Sequence, residues 1–176
     1  MHNEDELTFG VVPISTPTRD RAKKFTFTDD QTKAYNGLIK FINEPYNPKD
    51  FKRALIGPGG TGKTFLLKAL LQDCNIPFSE IGLSAPSHKA CRVLRNSIRG
   101  THCNVNTIQS DFGFKPNYDI EKFDINNVTF ASYGRIKIED YRLYIVDESS
   151  MLNRSLVTYI DKMMKKYSIK LILCGK

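Results

Sequence analysis

The sequence predicts an α/β fold with a parallel β-sheet and helices on both of its faces. Three observations predict it: short apolar segments alternate with helical ones, one apolar segment leads into a glycine-rich loop and a helix, and another ends in two carboxylates. Strands that alternate with helices are typical of a parallel sheet, because each connection must cross one of its faces. We predict strands at 53–56, 80–84, 143–147 and 170–174, and helices at 28–43, 63–73, 87–98 and 153–167.

Composition restricts the classes of protein to which the chain can belong. It has 176 residues, of which 40% are hydrophobic and 26% charged, as in one ordinary globular domain. No apolar run is long enough to cross a membrane, and the acidic start MHNEDELTFG does not look like a secretory signal. The four cysteines lack the spacing of a disulfide framework, which favours a reduced, cytoplasmic protein without a membrane partner. The net charge of +7 suggests a polyanionic partner.

A phosphate-binding loop follows the first predicted strand. Residues 57–64 read GPGGTGKT and fit the pattern G-x-x-x-x-G-K-[ST], in the strand–loop–helix context that makes the pattern specific. Glycine lets backbone amides approach an anion, and the start of the next helix also favours negative charge. In this pattern Lys63 contacts the β- and γ-phosphates and Thr64 offers its hydroxyl to Mg²⁺. We therefore predict that ATP and Mg²⁺ bind here, with ATP held by Gly59, Gly60, Thr61, Gly62, Lys63 and Thr64.

Two carboxylates end the third predicted strand. The apolar run Leu-Tyr-Ile-Val at 143–146 is followed by Asp147 and Glu148. In doubly wound sheets such a strand end lies beside the phosphate loop. We predict that Asp147 holds Mg²⁺, and that Glu148 is the general base that polarises the attacking water, with Lys63 as the second catalytic residue. The alternative is a pair of solvated acids at a strand end.

Four stretches agree in order and spacing with the motifs of one enzyme family. Residues 147–151 read D-E-S-S-M, like motif II, and residues 85–90 read A-P-S-H-K-A, like motif Ia. Residues 28–31, T-D-D-Q, are similar to the glutamine motif, and residues 107–110, T-I-Q-S, to a motif that contacts single-stranded DNA. Together they resemble superfamily-1 DNA helicases of the RecD/Dda group, the phage Dda-type enzymes above all, over about residues 25–175.

The resemblance implies a RecA-like P-loop NTPase fold and an ATP-dependent DNA helicase that moves 5′→3′ on single-stranded DNA. It implies that Gln31 reads adenine and that His88, Lys89 and Thr107 contact the DNA strand. The partners that it implies are single-stranded DNA, a second RecA-like lobe that supplies an arginine to the ATP site, and replication or recombination proteins.

The same resemblance suggests that the chain is one lobe of such an enzyme. Residues 1–24 mix charges and prolines without periodicity, so we expect a flexible N-terminal arm before a RecA-like ATP-binding lobe at 25–176. The family's motif III starts near Gly175, but Lys176 replaces its aspartate and its glutamine is absent. We therefore expect a fragment that ends after the fourth core strand and lacks the second lobe. A truncated protein that only binds nucleotide or DNA, and a P-loop ATPase with another output, are the alternatives.

Two of these interpretations have structural alternatives. Thr28 and Gln31 also fit a capping box at a helix start, which involves no nucleotide. The helix after Ser87 carries a basic face, which fits either phosphate contacts or a plain solvated surface. That basic face consists of Lys89, Arg92, Arg95 and Arg99, and the apolar face opposite it of Ala90, Val93, Leu94 and Ile98.

Residues 112–140 are rich in aromatic residues at the place where Dda-like helicases insert a small β-hairpin lobe. The segments 126–130 and 135–138 could form the two strands of that lobe, with aromatic rings that stack on bases. A small aromatic core beneath a long loop is the alternative.

Overall fold

The computed structural model describes residues 25–176, so the predicted flexible arm at 1–24 lies outside the described residues. Five strands form one sheet: β1 (Lys52–Ile56), β2 (Ile81–Ala85), β3 (Asn104–Thr107), β4 (Leu143–Val146) and β5 (Lys170–Gly175). The α-helices are α1 (Asp29–Asn43), α2 (Lys63–Asp73), α3 (His88–Ser97), α4 (Ile108–Asp111), α5 (Val128–Ala131) and α6 (Arg154–Lys166). Along residues 25–176, none of these helices combines the length and the apolar character needed to cross a bilayer.

The strands run in the order β1-β5-β4-β2-β3, and every neighbouring pair is parallel. This confirms the predicted α/β class, and the strand after the acidic pair, β5, inserts between β4 and the strand of the phosphate loop, β1. Ile56 pairs with Gly175, and Val146 pairs with Leu173. Because the strands are parallel, the carboxyl ends of β1 and β4 reach the same edge of the sheet with only β5 between them.

Two apolar cores lie on opposite faces of the sheet. In β4, Leu143 and Ile145 belong to one core, and Tyr144 and Val146 belong to the other. Helices α1, α2 and α3 cover the first core, whereas α6 and the irregular chain at 112–141 cover the second. Successive residues of a strand point to opposite faces, so a strand covered on both faces has to be apolar throughout.

The structure corrects the predicted elements in two places. The sequence does not predict β3, whose residues Asn-Val-Asn-Thr include one apolar side chain and which pairs only with β2, so the sheet has five strands instead of four. The predicted hairpin is wrong: Ile125–Asn127 form a 3₁₀ turn, Val128–Ala131 form α5, and 135–138 form no strand. The Asp124 carboxylate accepts a hydrogen bond from the amide of Asn126 at 2.9 Å, which begins a turn and not a strand.

The aromatic residues of this segment form the small core that is the alternative to the hairpin. The ring of Phe114 contacts four other rings with centroid distances between 5.3 and 6.0 Å, those of Phe112, Tyr118, Phe123 and Tyr159. Phe112, Phe114 and Phe123 are buried. A buried ring cannot stack on a base, so these three rings stabilise the fold.

Lys170, the first residue of β5, joins the sheet to the end of α1. Its side chain is buried, and its Nζ donates hydrogen bonds to the backbone oxygens of Phe41 at 2.5 Å, of Ile42 at 3.0 Å and of Glu44. The last carbonyl groups of a helix have no partner within the helix, and its negative end attracts a cation. The ammonium therefore completes α1, although burial lowers the pKa of Lys170.

Candidate active site and adjoining groove

The phosphate loop joins the end of β1 to the start of α2. Gly60 and Gly62 have φ angles of 79° and 78°, in the left-handed region that residues other than glycine rarely adopt. The hydroxyl of Thr61 donates to the backbone oxygen of Pro58 at 2.9 Å, which closes the loop on itself. Among residues 25–176, no atom beyond the glycine and its two chain neighbours lies within 4 Å of where a side chain would begin at Gly59 or Gly60, so the backbone is open to a close approach there.

Lys63 is the first residue of α2 and places its ammonium group inside the loop. Its Nζ donates to the backbone oxygens of Gly57 at 2.6 Å and Pro58 at 2.7 Å. Within residues 25–176 no carboxylate forms an ion pair with it. A positive charge held by two neutral carbonyl groups remains available to an anion, so the loop fits the phosphates of a nucleotide.

Gln31 connects the start of α1 to the phosphate loop. The capping box is formed: the Thr28 amide donates to Gln31 Oε1 at 3.1 Å, and the Gln31 amide donates to Thr28 Oγ1 at 3.3 Å. The side-chain amide of Gln31 also donates to the backbone oxygen of Thr61 at 2.9 Å. A Cβ atom at Gly62 would lie 2.5 Å from Gln31 Nε2 and would displace that side-chain amide, and the φ of 78° also favours glycine at this position. Adenine recognition by Gln31 stays a prediction beside this structural role.

A pocket with a volume of about 560 Å³ lies over the loop. The predicted ATP-binding residues that line it are Gln31, Gly60, Thr61, Gly62 and Lys63. Gly59 and Thr64 are not in the lining, although each directly adjoins a lining residue. Thr64 is half-buried as the second residue of α2.

Asp147 and Glu148 follow β4 and lie outside the lining of that pocket. The Asp147 amide donates to the backbone oxygen of Ser84 at 2.8 Å, and its carboxylate accepts from the Glu148 amide at 2.9 Å. Glu148 has a φ of 54°, which is uncommon and strained for a residue with a side chain. Asp147 is half-buried whereas Glu148 is exposed, so the two carboxylates have different surroundings that suit different roles.

The thiol of Cys174, near the end of β5, lies close enough to both halves of the site for the charges of Asp147 and Lys63 to affect its pKa. The pKa of Cys174 is raised to about 12, mainly by burial. The charge of Asp147 contributes to this rise, and the charge of Lys63 opposes it. The amide of Gly57 donates to the backbone oxygen of Gly175 at 3.2 Å, which joins the loop to the same strand. The structure therefore places Lys63 and Asp147 on opposite sides of the end of β5.

A second cavity of about 360 Å³ adjoins this edge of the sheet, and we call it the adjoining groove. His88 and Thr107, two of the three predicted DNA-contacting residues, line it, but Lys89 does not. Thr107 is buried, and its hydroxyl caps α4 by accepting from the Ser110 amide at 3.2 Å. The lining also includes Arg135 and Lys137, which sequence reasoning does not assign to any site.

The buried face of helix α3 is narrower than the apolar face that its sequence predicts. Cys91, Leu94 and Ile98 are buried, but Val93, from the predicted apolar face, is 58% exposed. The buried arc of the helix is therefore narrower than the arc of its apolar residues. Arg95, from the basic face, donates to the backbone oxygen of Val105 at 2.6 Å and thereby supports β3.

A buried carboxylate lies between the adjoining groove and β4, and sequence reasoning misses it. Asp111 is fully buried and accepts hydrogen bonds from Asn106 Nδ2 at 2.9 Å and from the hydroxyl of Tyr144 at 2.8 Å. Burial raises the pKa of Asp111 to about 6, although both hydrogen bonds act in the opposite direction. A single acid between Ser110 and Phe112, at the start of an aromatic segment, is the one sequence signal that could have indicated it.

Comparison with known proteins agrees with the phosphate loop. A family model described as an AAA domain matches residues 39–176. The matched range contains the phosphate loop, the carboxylate pair and the adjoining groove, but it does not contain Gln31. No curated protein matches the chain.

We expect Lys63→Ala to weaken the binding of Mg-ATP by roughly 10- to 100-fold, because it removes a charged hydrogen bond to the phosphates. Titration with a fluorescent ATP analogue in the presence of Mg²⁺ measures the change. Lys68→Ala, on the same helix but outside the loop, is the matched control. An unchanged Kd for Lys63→Ala would contradict the nucleotide site.

Asp111→Asn tests the buried carboxylate through the pH dependence of stability. The pKa of Asp111 is raised from 3.8 to about 6 in the folded protein, so the folded state binds this proton more tightly than the unfolded chain. The resulting stability is fully present below the unfolded pKa and is lost as pH rises through about 6. Urea unfolding should therefore show the wild type losing roughly 2 kcal/mol, relative to Asp111→Asn, between pH 4.5 and pH 7.

The control for this comparison is Asp140→Asn, which removes an exposed carboxylate. It should follow the wild type across the same pH range. Parallel stability curves for the wild type and Asp111→Asn would show that Asp111 does not titrate in this window.

Proposed function

The chain belongs to the AAA domain family of P-loop NTPases, and from this premise we propose that it is the ATP-binding lobe of an ATP-dependent DNA helicase. P-loop domains of this kind bind ATP with Mg²⁺. The proposal adds that hydrolysis is coupled to 5′→3′ movement along single-stranded DNA. It follows the RecD/Dda resemblance of the four motifs.

The adjoining groove is the observation that carries the helicase part of the proposal. Its lining holds His88, Arg135 and Lys137 and no carboxylate, so its charge suits a phosphate backbone. It lies at the carboxyl ends of β2 and β3, on the same sheet edge as the phosphate loop. A domain that couples hydrolysis to movement needs a polymer site next to its nucleotide site, and the placement of the groove supports the proposal on this point.

Each residue of the proposed ATP site has a distinct task. Lys63 donates to the β- and γ-phosphates, and Thr64 and Asp147 hold Mg²⁺. The chemistry that Mg²⁺ would supply when bound is positive charge beside the phosphate oxygens. Glu148 accepts a proton from the attacking water, a role that its solvent exposure permits.

The proposal also includes partners. An arginine from a second RecA-like lobe would complete the ATP site, because hydrolysis in related enzymes depends on such a residue. Replication or recombination proteins would act with the helicase in the cytoplasm. A P-loop ATPase with another output, and a protein that only binds nucleotide, are the alternatives that the following experiments separate.

For Glu148→Gln we expect nucleotide binding to persist and hydrolysis to fall by roughly 10²- to 10⁴-fold, because the amide keeps the side-chain shape but cannot accept a proton. Single-turnover hydrolysis, with protein in excess over radiolabelled ATP, measures the rate even when turnover is slow. Glu121→Gln, which changes an exposed carboxylate elsewhere, is the control. Hydrolysis at the wild-type rate would remove Glu148 from the mechanism.

Binding of single-stranded DNA should depend steeply on salt, since cations of the adjoining groove replace counterions on the phosphates. Fluorescence anisotropy of a labelled oligothymidylate at several salt concentrations gives the slope of log K against log salt. Lys137→Ala should reduce that slope by about 0.7 if its ammonium neutralises one phosphate. Lys162→Ala, an exposed lysine on α6, should leave it unchanged.

The same titration of Lys89→Ala tests whether the start of α3 also contacts the strand. Absence of any binding of single-stranded DNA at low salt would reject the helicase proposal. Because nucleotide binding is measured separately, that result would leave a P-loop ATPase with another output.

A further inference from the structure

We propose that Tyr133 is a base-stacking residue of the adjoining groove, where it holds a base of single-stranded DNA while the neighbouring cations hold the phosphates. This inference rests on the proposed function and adds a residue that the helicase motifs do not contain. Tyr133 lines the groove and is 73% exposed. The other aromatic side chains that the structure describes at 112–144 are buried or half-buried: Phe112, Phe114, Tyr118, Phe123, Tyr141 and Tyr144.

The backbone beneath Tyr133 is held in place although its ring is exposed. The amides of Tyr133 and Gly134 both donate to the backbone oxygen of Gly113, at 2.7 and 2.9 Å. Gly113 has a φ of 66°, and a Cβ atom there would lie 2.4 Å from the oxygen of Gly134, so the two segments approach as closely as glycine allows. An isolated antiparallel bridge between Phe114 and Ser132 adds to this contact.

A ring on a fixed backbone loses little conformational freedom when it binds a ligand, which favours affinity. An exposed tyrosine of no function could equally lie on a flexible loop, yet this one stands on a segment anchored to the aromatic core through Phe114. The ring is therefore presented to the groove by a rigid support.

The charges around Tyr133 suit a strand with free bases. The lining of the groove includes Arg135 and Lys137, which follow Tyr133 in the chain, and His88 from the motif Ia stretch. Lys137 Nζ also donates to the hydroxyl of Ser110 at 2.9 Å, and Arg135 pairs with Glu139 at 3.3 Å in a largely exposed contact that phosphate can replace. Aromatic rings and cations in one groove bind single strands, whose bases offer a free face for stacking, whereas the bases of a duplex are already stacked on each other.

The test compares two ligands on three proteins. The ligands are a labelled oligothymidylate and an abasic oligonucleotide of the same length, which has the phosphates but no bases. The proteins are the wild type, Tyr133→Ala and Tyr133→Phe. We expect Tyr133→Ala to weaken oligothymidylate binding by roughly 5- to 100-fold, with Tyr133→Phe close to the wild type and the salt slope unchanged.

Binding of the abasic ligand should be the same for all three proteins, because it offers no base to stack. Val93→Ala, which removes an exposed apolar side chain from α3 outside the groove, is the control. Circular dichroism establishes that each variant is folded.

Equal oligothymidylate affinity for the wild type and Tyr133→Ala would overturn the stacking role while leaving the DNA site in place. An equal loss of affinity for the base-containing and abasic ligands would also overturn it, since the ring would then contact the sugar-phosphate backbone of the DNA and not a base. A wild-type protein that binds neither ligand would overturn the proposed function itself, a result distinct from both.

Discussion

The placement of β5 between β1 and β4 is the constraint on which both halves of the ATP site depend. The strand is hydrogen-bonded along both edges, and it is buried through most of its length. It separates the phosphate loop from the carboxylate pair by one strand, so the sheet sets how far apart the ends of β1 and β4 lie. At its end, a Cβ atom on Gly175 would lie 3.0 Å from Ser149 Oγ, so the turn after β4 packs directly on the strand. A larger residue at 175 would therefore crowd Ser149 and Ser150, which directly follow the carboxylate pair.

A second contact joins the nucleotide side of the sheet to the adjoining groove. The hydroxyl of Tyr144 on β4 donates to Asp111, which ends α4 beneath the groove. Burying a carboxylate is costly unless it accepts hydrogen bonds, and Asn106 on β3 supplies the other one. Three elements are thus linked by one polar group in an otherwise apolar core.

The sequence predicts those parts of the molecule that depend on local pattern. The phosphate loop is specified by eight consecutive residues. The starts of α1 and α2 follow from local signals, the capping box at Thr28 and the glycine-rich loop before Lys63. The carboxylate pair is found because an apolar strand precedes it. These features need no knowledge of distant residues.

The remaining features depend on partners far along the chain. β3 is a strand because β2 offers it a free edge, which its own polar sequence does not indicate. Asp111 is buried because Tyr144, 33 residues later, supplies a hydroxyl, and Val93 is exposed because the sheet contacts only part of α3. The left-handed backbone of Glu148 also has no sequence signal, since glycine or asparagine is the usual residue in that conformation.

The burial of Lys170 has a consequence for the order in which the chain can fold during synthesis. The three carbonyl groups that Lys170 contacts belong to residues made 126 to 129 positions earlier. At roughly 5–20 residues per second, a ribosome needs several seconds to cover that interval. Over that time the end of α1 must satisfy its carbonyl groups with water, and the one sheet position that β5 will fill, between β1 and β4, is vacant. Helix α1 therefore reaches its final form only after β5 has been made, and the nucleotide site assembles at the same stage.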